Sequence, residues 1–301
     1  MRVVAIFGPT AVGKTAVAVA LAGRLRARGE DPVAVSCDAI QVYRGLEALS
    51  GAPGAPERKA LEHRLVAFLE PSEEFSAGRF GALARAEIDR LLGEGRRPIV
   101  VGGTGLYLRV ALSDIELRPP AAPRVREGVE AELAKRGPEA LHAELEPGVA
   151  AGIHPRDRRR VARATELQRS GSAHAPRAES GGELWTARLR HPTLLVALTM
   201  SRRKLEERIA ERVEEMARAG AGEEARRAAA VGVSRTARSA IGFEGFARGD
   251  LEAVKTAQRR FAKRQMTWMR RMEGVRVIER DGGEEEVAAR IEALLGDTAP
   301  R

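Results

Sequence analysis

Apolar residues follow two rhythms along this chain, and the first change from one to the other falls at residue 8. Val3–Phe7 is an unbroken apolar run, the mark of a strand buried on both faces. From Ala16 to Arg28 the apolar positions recur at helical spacing and stop at Gly29. Short runs at Val33–Ser36, Arg97–Val101, Thr193–Thr199 and Val275–Ile278 predict further buried strands, and Leu61–Leu69 predicts another that ends at Glu70-Pro71. Phe80, Leu83, Ile88 and Leu91 mark a helix over Ser76–Leu92, and helical patterns return over Arg203–Ala219, Glu223–Ala230, Leu251–Met272 and Val287–Leu295. Residues Glu47–Pro56 are rich in Gly, Ala and Pro and predict a surface loop. Strands alternating with helices predict an α/β fold with a parallel sheet flanked by helices.

One block interrupts that alternation. Arg118-Pro119-Pro120-Ala121-Ala122-Pro123 predicts a linker, and Arg124–Leu145 a pair of short helices broken at Gly137-Pro138. Pro155–Arg169 predicts a strongly basic helix with Val161, Ala164 and Leu167 on its apolar side, followed by a polar, Gly-rich loop over Ser170–Arg188. Because Thr193–Thr199 should return to the parallel sheet, residues 115–189 are expected to be an inserted all-helical subdomain, with 1–114 and 190–301 forming the core.

The junctions carry the candidate chemistry. Gly8-Pro9-Thr10-Ala11-Val12-Gly13-Lys14-Thr15 follows a strand and opens a helix, which is the context a P-loop needs. Glycines let successive N–H groups point into one concavity, and the helix N-terminus adds to that field. Lys14 supplies a mobile cation, and the Thr15 hydroxyl suits a Mg²⁺ ligand. A Gly-rich turn that happens to contain Lys-Thr would do none of this; the flanking strand and helix favour phosphate. Asp38 follows the second strand, at the sheet edge where ligands bind in parallel α/β folds. It reads equally as a helix N-cap or as a general base or Mg²⁺ partner. Gly102-Gly103-Thr104-Gly105 ends another strand, which would bring Thr10 and Thr104 near one pocket; an N-cap is the simpler role for Thr104 taken alone. In the late helix Phe261, Trp268 and Met269 are expected to be core residues and not platforms for bases.

Composition changes the picture mainly through charge. The 301 residues hold 51 Lys plus Arg against 42 Asp plus Glu, a net charge of +9, which favours polyanionic partners. Basic clusters at Arg156–Arg160, Arg202-Arg203-Lys204, Arg259-Arg260, Lys263-Arg264 and Arg270-Arg271 all lie in the second half, although charge runs often end as solvated helix faces. One cysteine, Cys37, excludes an internal disulfide and argues against a cysteine-based metal site. No apolar run approaches a membrane span, and no export signal is evident, so a cytoplasmic protein is the expectation; a monomer is expected as well.

Taken with Asp38-Ala39-Ile40-Gln41-Val42-Tyr43-Arg44, Val101–Tyr107, Asp157–Glu166, Ser239–Glu244 and Ala262–Arg270, the P-loop makes a set that resembles the tRNA dimethylallyltransferases in kind and in order. The resemblance implies a P-loop NTPase-like fold and transfer of a dimethylallyl group from dimethylallyl diphosphate to N6 of the adenosine on the 3′ side of the tRNA anticodon. It implies that residues 8–15 hold the diphosphate with Mg²⁺ on Thr15, and that Thr104 hydrogen-bonds the bridging oxygen. Asp38 would orient the amine and take its proton. Arg208 and Arg212, four apart on one helix face, would reach the diphosphate or the tRNA. Toward the tRNA anticodon stem-loop the resemblance points to Asp38, Ala39, Ile40, Gln41, Thr104, Arg126, Arg159, Arg160, Arg163, Arg238 and Gly242. Extrusion of the target base follows, since a stacked adenine cannot present N6 to a pocket.

This chain departs from the pattern at Val12, at Ala39 (usually Ser), at His63-Arg64 (usually His-His) and around Ser50–Pro56, where a Thr-Ala-Lys-Pro stretch is missing. Three other readings share some features: an adenylate isopentenyltransferase, a P-loop kinase of a small metabolite, and a nucleotide-switched RNA-binding protein. The basic insert argues against the first, the remaining motifs against the second, and the lack of Asn-Lys-x-Asp against the third.

Overall fold

The computed structural model describes residues 2–115, 117–118, 120–172 and 188–296. The chain divides into two compact units, Met1–Ile115 with Glu183–Arg301, and Glu116–Gly182.

The larger unit is built on a six-stranded parallel sheet. Its strands are β1 (Val3–Phe7), β2 (Pro32–Ser36), β3 (His63–Arg64), β4 (Arg97–Gly102), β5 (Thr193–Thr199) and β6 (Arg276–Glu279), in the spatial order β3-β2-β4-β1-β5-β6. Strand β1 is central, with Phe7 opposite Gly102 on one side and Ala197 on the other. Every residue of β1 and β2 is buried, which is why these runs are apolar without alternation. The Lys14–Ala27 helix packs Val17, Ala18, Leu21 and Leu25 into the core formed by Val4, Ile6 and Val196. The final helix, Glu284–Gly296, adds Val287 and Ile291 to the same core. Because all strands are parallel, the carboxyl ends of β1, β2, β4, β5 and β6 share one edge, and the loops leaving them build the candidate site.

Three local expectations need correction. Leu61–Leu69 does not form one strand: only His63 and Arg64 pair, with Ala34 and Val35. Leu65 and Ala67 have left-handed backbones (φ 60° and 52°), which turns the chain out of the sheet. Glu47–Pro56 is not plain loop, since short helices occupy Glu47–Ser50 and Ala55–Ala60. The carboxylate of Glu224 accepts hydrogen bonds from Ala48 N (3.0 Å) and Leu49 N (2.7 Å) and so holds the first of them from a distant helix. On the Leu251–Arg271 helix the buried face is Val254, Gln258, Ala262, Gln265 and Met269, whereas Phe261 and Trp268 are only half-buried.

The smaller unit has its own core of Val129, Leu133, Leu141, Val161 and Ala162. It joins a helix over Pro123–Ala143, broken at Gly137 (φ 77°), to the Arg158–Arg169 helix, whose Asp157 cap accepts from Arg160 N at 3.1 Å. Of the loop expected over Ser170–Arg188, residues 173–187 lie outside the described residues. Among the described residues no helix is long and apolar enough to cross a membrane.

Candidate active site

At the end of β1 the chain turns into residues 8–15. Gly13 sits in the left-handed region (φ 91°, ψ 31°) as N-cap of the Lys14–Ala27 helix, and the Arg280 guanidinium fills the space a Cβ would take. The first backbone bond into that helix runs from Val17 N to Gly13 O (3.1 Å), so the amides of Lys14, Thr15 and Ala16 have no intrahelical partner. The carbonyls are held instead. Gly8 O and Pro9 O accept from Lys14 Nζ (3.0 and 2.9 Å), Ala11 O from Arg208 Nε (2.8 Å) and Val12 O from Arg280 Nη1 (2.9 Å). With four carbonyls fixed on cations, the free amides at the helix N-terminus are left for an anion. The Thr15 hydroxyl makes no hydrogen bond with a described residue, and the described residues include no His, Cys, Asp or Glu cluster that could hold a metal by itself.

Asp38 follows β2, and it caps no helix. Its Oδ1 accepts from Ile40 N (2.9 Å) and Gln41 N (3.4 Å), a local turn that fixes the carboxylate. Ala39 and Ile40 form the half-buried body of this turn. Gln41 Oε1 accepts from Ser36 Oγ (2.8 Å), and its Nε2 donates to Gly51 O (3.2 Å), where Arg212 Nη2 also donates (3.1 Å). Lys14, Arg212 and Asp38 are close enough for their charges to interact. Burial, and next the Arg212 charge, push the Lys14 ammonium down to about 7, with Asp38 opposing the fall. Burial likewise pulls Arg212 below its ordinary value, again opposed by Asp38. A basic concavity with a carboxylate in its field is the result.

Thr104 follows β4 at the N-cap position of the Gly105–Leu112 helix, but its hydroxyl makes no cap hydrogen bond. The turn is drawn close to the P-loop by Gln265, whose Oε1 accepts from Thr10 N (2.8 Å) and whose Nε2 donates to Gly103 O (2.7 Å). A Cβ built on Gly103 would lie 3.4 Å from both Gly8 O and Lys14 Nζ, so the two turns are in contact.

Residues 8–15, 38–41, 104, 208 and 212 therefore meet at one sheet edge. Arg238 and Gly242 lie in the same unit but have local roles. Arg238 Nε pairs with Glu244 (2.9 Å), and Gly242 (φ 94°) packs on Val254, with no room for a side chain. Arg126, Arg159, Arg160 and Arg163 belong to the helical unit. There Arg160 pairs with Asp157 and Arg163 with Glu166, while Arg159 is exposed and makes no ion pair with a described residue. Sequence reasoning gave no role to Gln265 or Arg280. Gln265 lay inside a quoted motif, and Arg280 directly follows β6 at the ligand-binding edge of the sheet; those positions were the available signals.

A sequence profile described as IPP transferase matches residues 41–272. The P-loop and Asp38 lie before that range, but longer matches include them. The tRNA dimethylallyltransferase of Anaeromyxobacter dehalogenans (strain 2CP-C) is 42% identical over 309 aligned residues, covering 97% of this chain and 99% of that protein. A crystal structure of the full-length tRNA isopentenylpyrophosphate transferase from Bacillus halodurans superposes with a TM-score of 0.70 at 32% identity, covering 98% of this chain and 95% of that one. A eukaryotic dimethylallyltransferase shares the fold at a TM-score of 0.77 and 23% identity, covering 99% of this chain and 80% of that one.

Proposed function

The chain belongs to the IPP transferase family, and from that premise we propose that it transfers a dimethylallyl group from dimethylallyl diphosphate to N6 of the adenosine on the 3′ side of the tRNA anticodon, giving N6-isopentenyladenosine. The observation that carries this reading is the placement of Asp38 in the field of Lys14 and Arg212 beside the P-loop. An alkyl transfer to an amine needs both the anion cradle and a proton acceptor beside it; a kinase acting on a hydroxyl would use the same pair, and it is the family match that favours prenyl transfer.

The amides of Lys14, Thr15 and Ala16 and the cations of Lys14 and Arg212 would bind the diphosphate and stabilise the charge that grows on it as the allylic C–O bond breaks. Thr104, its hydroxyl not engaged in capping, would donate to the bridging oxygen. The N6 lone pair attacks the allylic carbon, diphosphate leaves with the bonding electrons, and the N6 proton passes to Asp38. An exocyclic amine is a weak nucleophile, so the turn that fixes Asp38 contributes through orientation. The Thr15 hydroxyl, which makes no hydrogen bond with a described residue, is the group that would hold Mg²⁺ beside the phosphates. Bound there, Mg²⁺ would neutralise leaving-group charge. Arg208 and Arg280 act from behind, holding the loop by its carbonyls.

The helical unit supplies candidate phosphate contacts for the anticodon stem-loop at Arg126, Arg159, Arg160 and Arg163. The test is incubation of labelled donor with tRNA, followed by mapping of the modified nucleoside. Label at N6 of that adenosine, lost in Asp38→Ala and Lys14→Ala, is the expected result. Release of phosphate from ATP with unmodified tRNA would overturn it in favour of a kinase or ATPase.

A further inference from the structure

We propose that Gln265 is a positioning residue for the prenyl transfer: it locks the P-loop to the Gly103-Thr104 turn and so sets where the Thr104 hydroxyl stands relative to the diphosphate cradle. This rests on the activity argued above. Gln265 is 3% exposed on the inner face of the Leu251–Arg271 helix. A buried amide is costly unless both of its polar atoms are satisfied. Both are, and by backbone groups of two different site loops: Thr10 N at 2.8 Å and Gly103 O at 2.7 Å. These partners lie 255 and 162 residues away in sequence, so the side chain joins the C-terminal ends of β1 and β4 through neither strand.

Two consequences follow from the geometry. The Thr10 amide is committed to Gln265, so anion binding falls to the amides closer to the helix N-terminus. The Gly103 carbonyl is also fixed one residue before Thr104, whose hydroxyl has no capping bond to hold it. Trp268, one helical turn further on, packs against Gly105 and braces the far side of the same turn. Gln265 thus acts through its neighbours: both of its hydrogen bonds go to backbone groups, and among the described residues none goes to Lys14, Arg212 or Asp38.

Hydrogen-bond direction supplies the test. In Gln265→Glu one carboxyl oxygen can still accept from Thr10 N. The other faces Gly103 O, acceptor against acceptor, unless it carries a proton. Burial and that carbonyl favour the protonated acid, and the Lys14 ammonium near Gly103 opposes them; with burial and the carbonyl the larger, the folded-state value lies above the unfolded one of about 4.3. The clamp is then intact at low pH and lost as pH rises through the raised value. Stability of the variant relative to the parent falls over the same window, because the folded state binds the extra proton there.

Single-turnover transfer to tRNA and melting temperature are measured from pH 5.5 to 9 for the parent, Gln265→Glu and Gln265→Met. For Gln265→Glu we expect parent-like transfer at the acid end and a fall above a new ionisation that the parent lacks, tenfold per pH unit until it levels near the Gln265→Met rate. Donor KM should change less than threefold. Gln265→Met, of similar shape without the bonds, should lose about 10- to 100-fold in the transfer rate at every pH, the scale of a misplacement near 1 Å. A Gln265→Glu profile that follows the parent overturns the proposal, as does Gln265→Met with the parent's rate. If Gln265→Glu does not fold, Gln265→Met alone decides. A melting difference that grows with pH while transfer stays at the parent's rate also overturns it, since the bonds would then stabilise without positioning. A parent that leaves tRNA unmodified would refute the activity reading and, with it, the catalytic part of this proposal.

Discussion

Replacing Lys14 with Met should abolish transfer and, in the ligand-free protein, raise stability. The ammonium is crowded by protein atoms and by Arg212, which takes its value from 10.5 down to about 7. At about 1.4 kcal/mol per tenfold, that fall corresponds to on the order of 5 kcal/mol of disfavoured charge. Two offsets reduce it. Lys14 Nζ donates to Gly8 O and Pro9 O, bonds worth about 1 kcal/mol each, and the side chain is only partly buried, so solvent screens some of the repulsion. A net gain of about 1–2 kcal/mol for Lys14→Met near neutral pH remains. Its sign can be followed with pH. Below pH 7 the lysine is charged in both folded and unfolded states, and the full cost is present. Between pH 7 and 10.5 the unfolded chain binds the proton that the folded chain has lost, so the parent recovers stability as pH rises and the gain fades. Urea denaturation of both proteins at pH 6.5, 8 and 9.5 reads this directly. Inorganic diphosphate gives a second readout: it should stabilise the parent strongly and Lys14→Met little. A Lys14→Met protein less stable than the parent at all three pH values, or a gain that does not change with pH, would refute the reasoning.

Asp38→Asn should reduce single-turnover transfer by about 10²–10⁴-fold while leaving inorganic diphosphate affinity within a few-fold, since the amide keeps the turn but takes no proton; titration calorimetry and labelled transfer separate the two. Gly13→Ala places a side chain on a left-handed backbone and against Arg280, so a loss of about 2 kcal/mol or more in urea unfolding is expected, together with weaker diphosphate binding. In the helical unit Arg159→Ala should weaken tRNA binding and lower the salt slope by about 1, because it makes no ion pair with a described residue. Arg169→Ala, which removes a charge already paired with Glu132 at 2.6 Å, should leave the slope unchanged.

How much of this was legible in the sequence depended on the range of the signal. The P-loop was readable because everything that defines it is contiguous, from Val3 to Ala27: buried strand, glycines, Lys14-Thr15 and helix. The parallel sheet was readable from unbroken apolar runs, which only strands covered on both faces can tolerate. Leu61–Leu69 misled for the same reason, since its apolar composition resembles a strand while Leu65 and Ala67 turn with no glycine to announce it. Asp38 was placed correctly at the strand end, but its cap reading failed because the turn of Ile40 and Gln41 takes Oδ1 and no helix begins there. Gln265 and Arg280 were invisible as site residues because their partners, Thr10, Gly103 and Val12, are remote in sequence. The charge count was readable only as a sum: Arg158, Arg163, Arg169, Arg202 and Arg203 all form ion pairs, so the polyanion-facing surface is smaller than the net charge suggests.

The cations left around the P-loop are a different matter. Lys14, Arg212 and Arg280 are each shifted toward the uncharged form, in every case with burial as the largest cause, and for Arg280 this holds despite its ion pair with Glu284 at 2.9 Å. Repulsion adds to it, between Lys14 and Arg212 and between Arg280 and Arg208. A structure that gathers like charges in this way without enough acid to balance them is less stable than it could be, and an arriving anion relieves the repulsion. A diphosphate would restore Lys14 to its charged form and would gain most as its own charge grows, which in the proposed reaction is when the allylic bond breaks. The stability forgone in the free protein is thereby turned toward the transition state, because the positive field is already in place and needs no reorganisation. Asp38 lies inside that field, so in the proposed reaction the group that would take the proton and the group that would lose the carbon are held by one electrostatic arrangement.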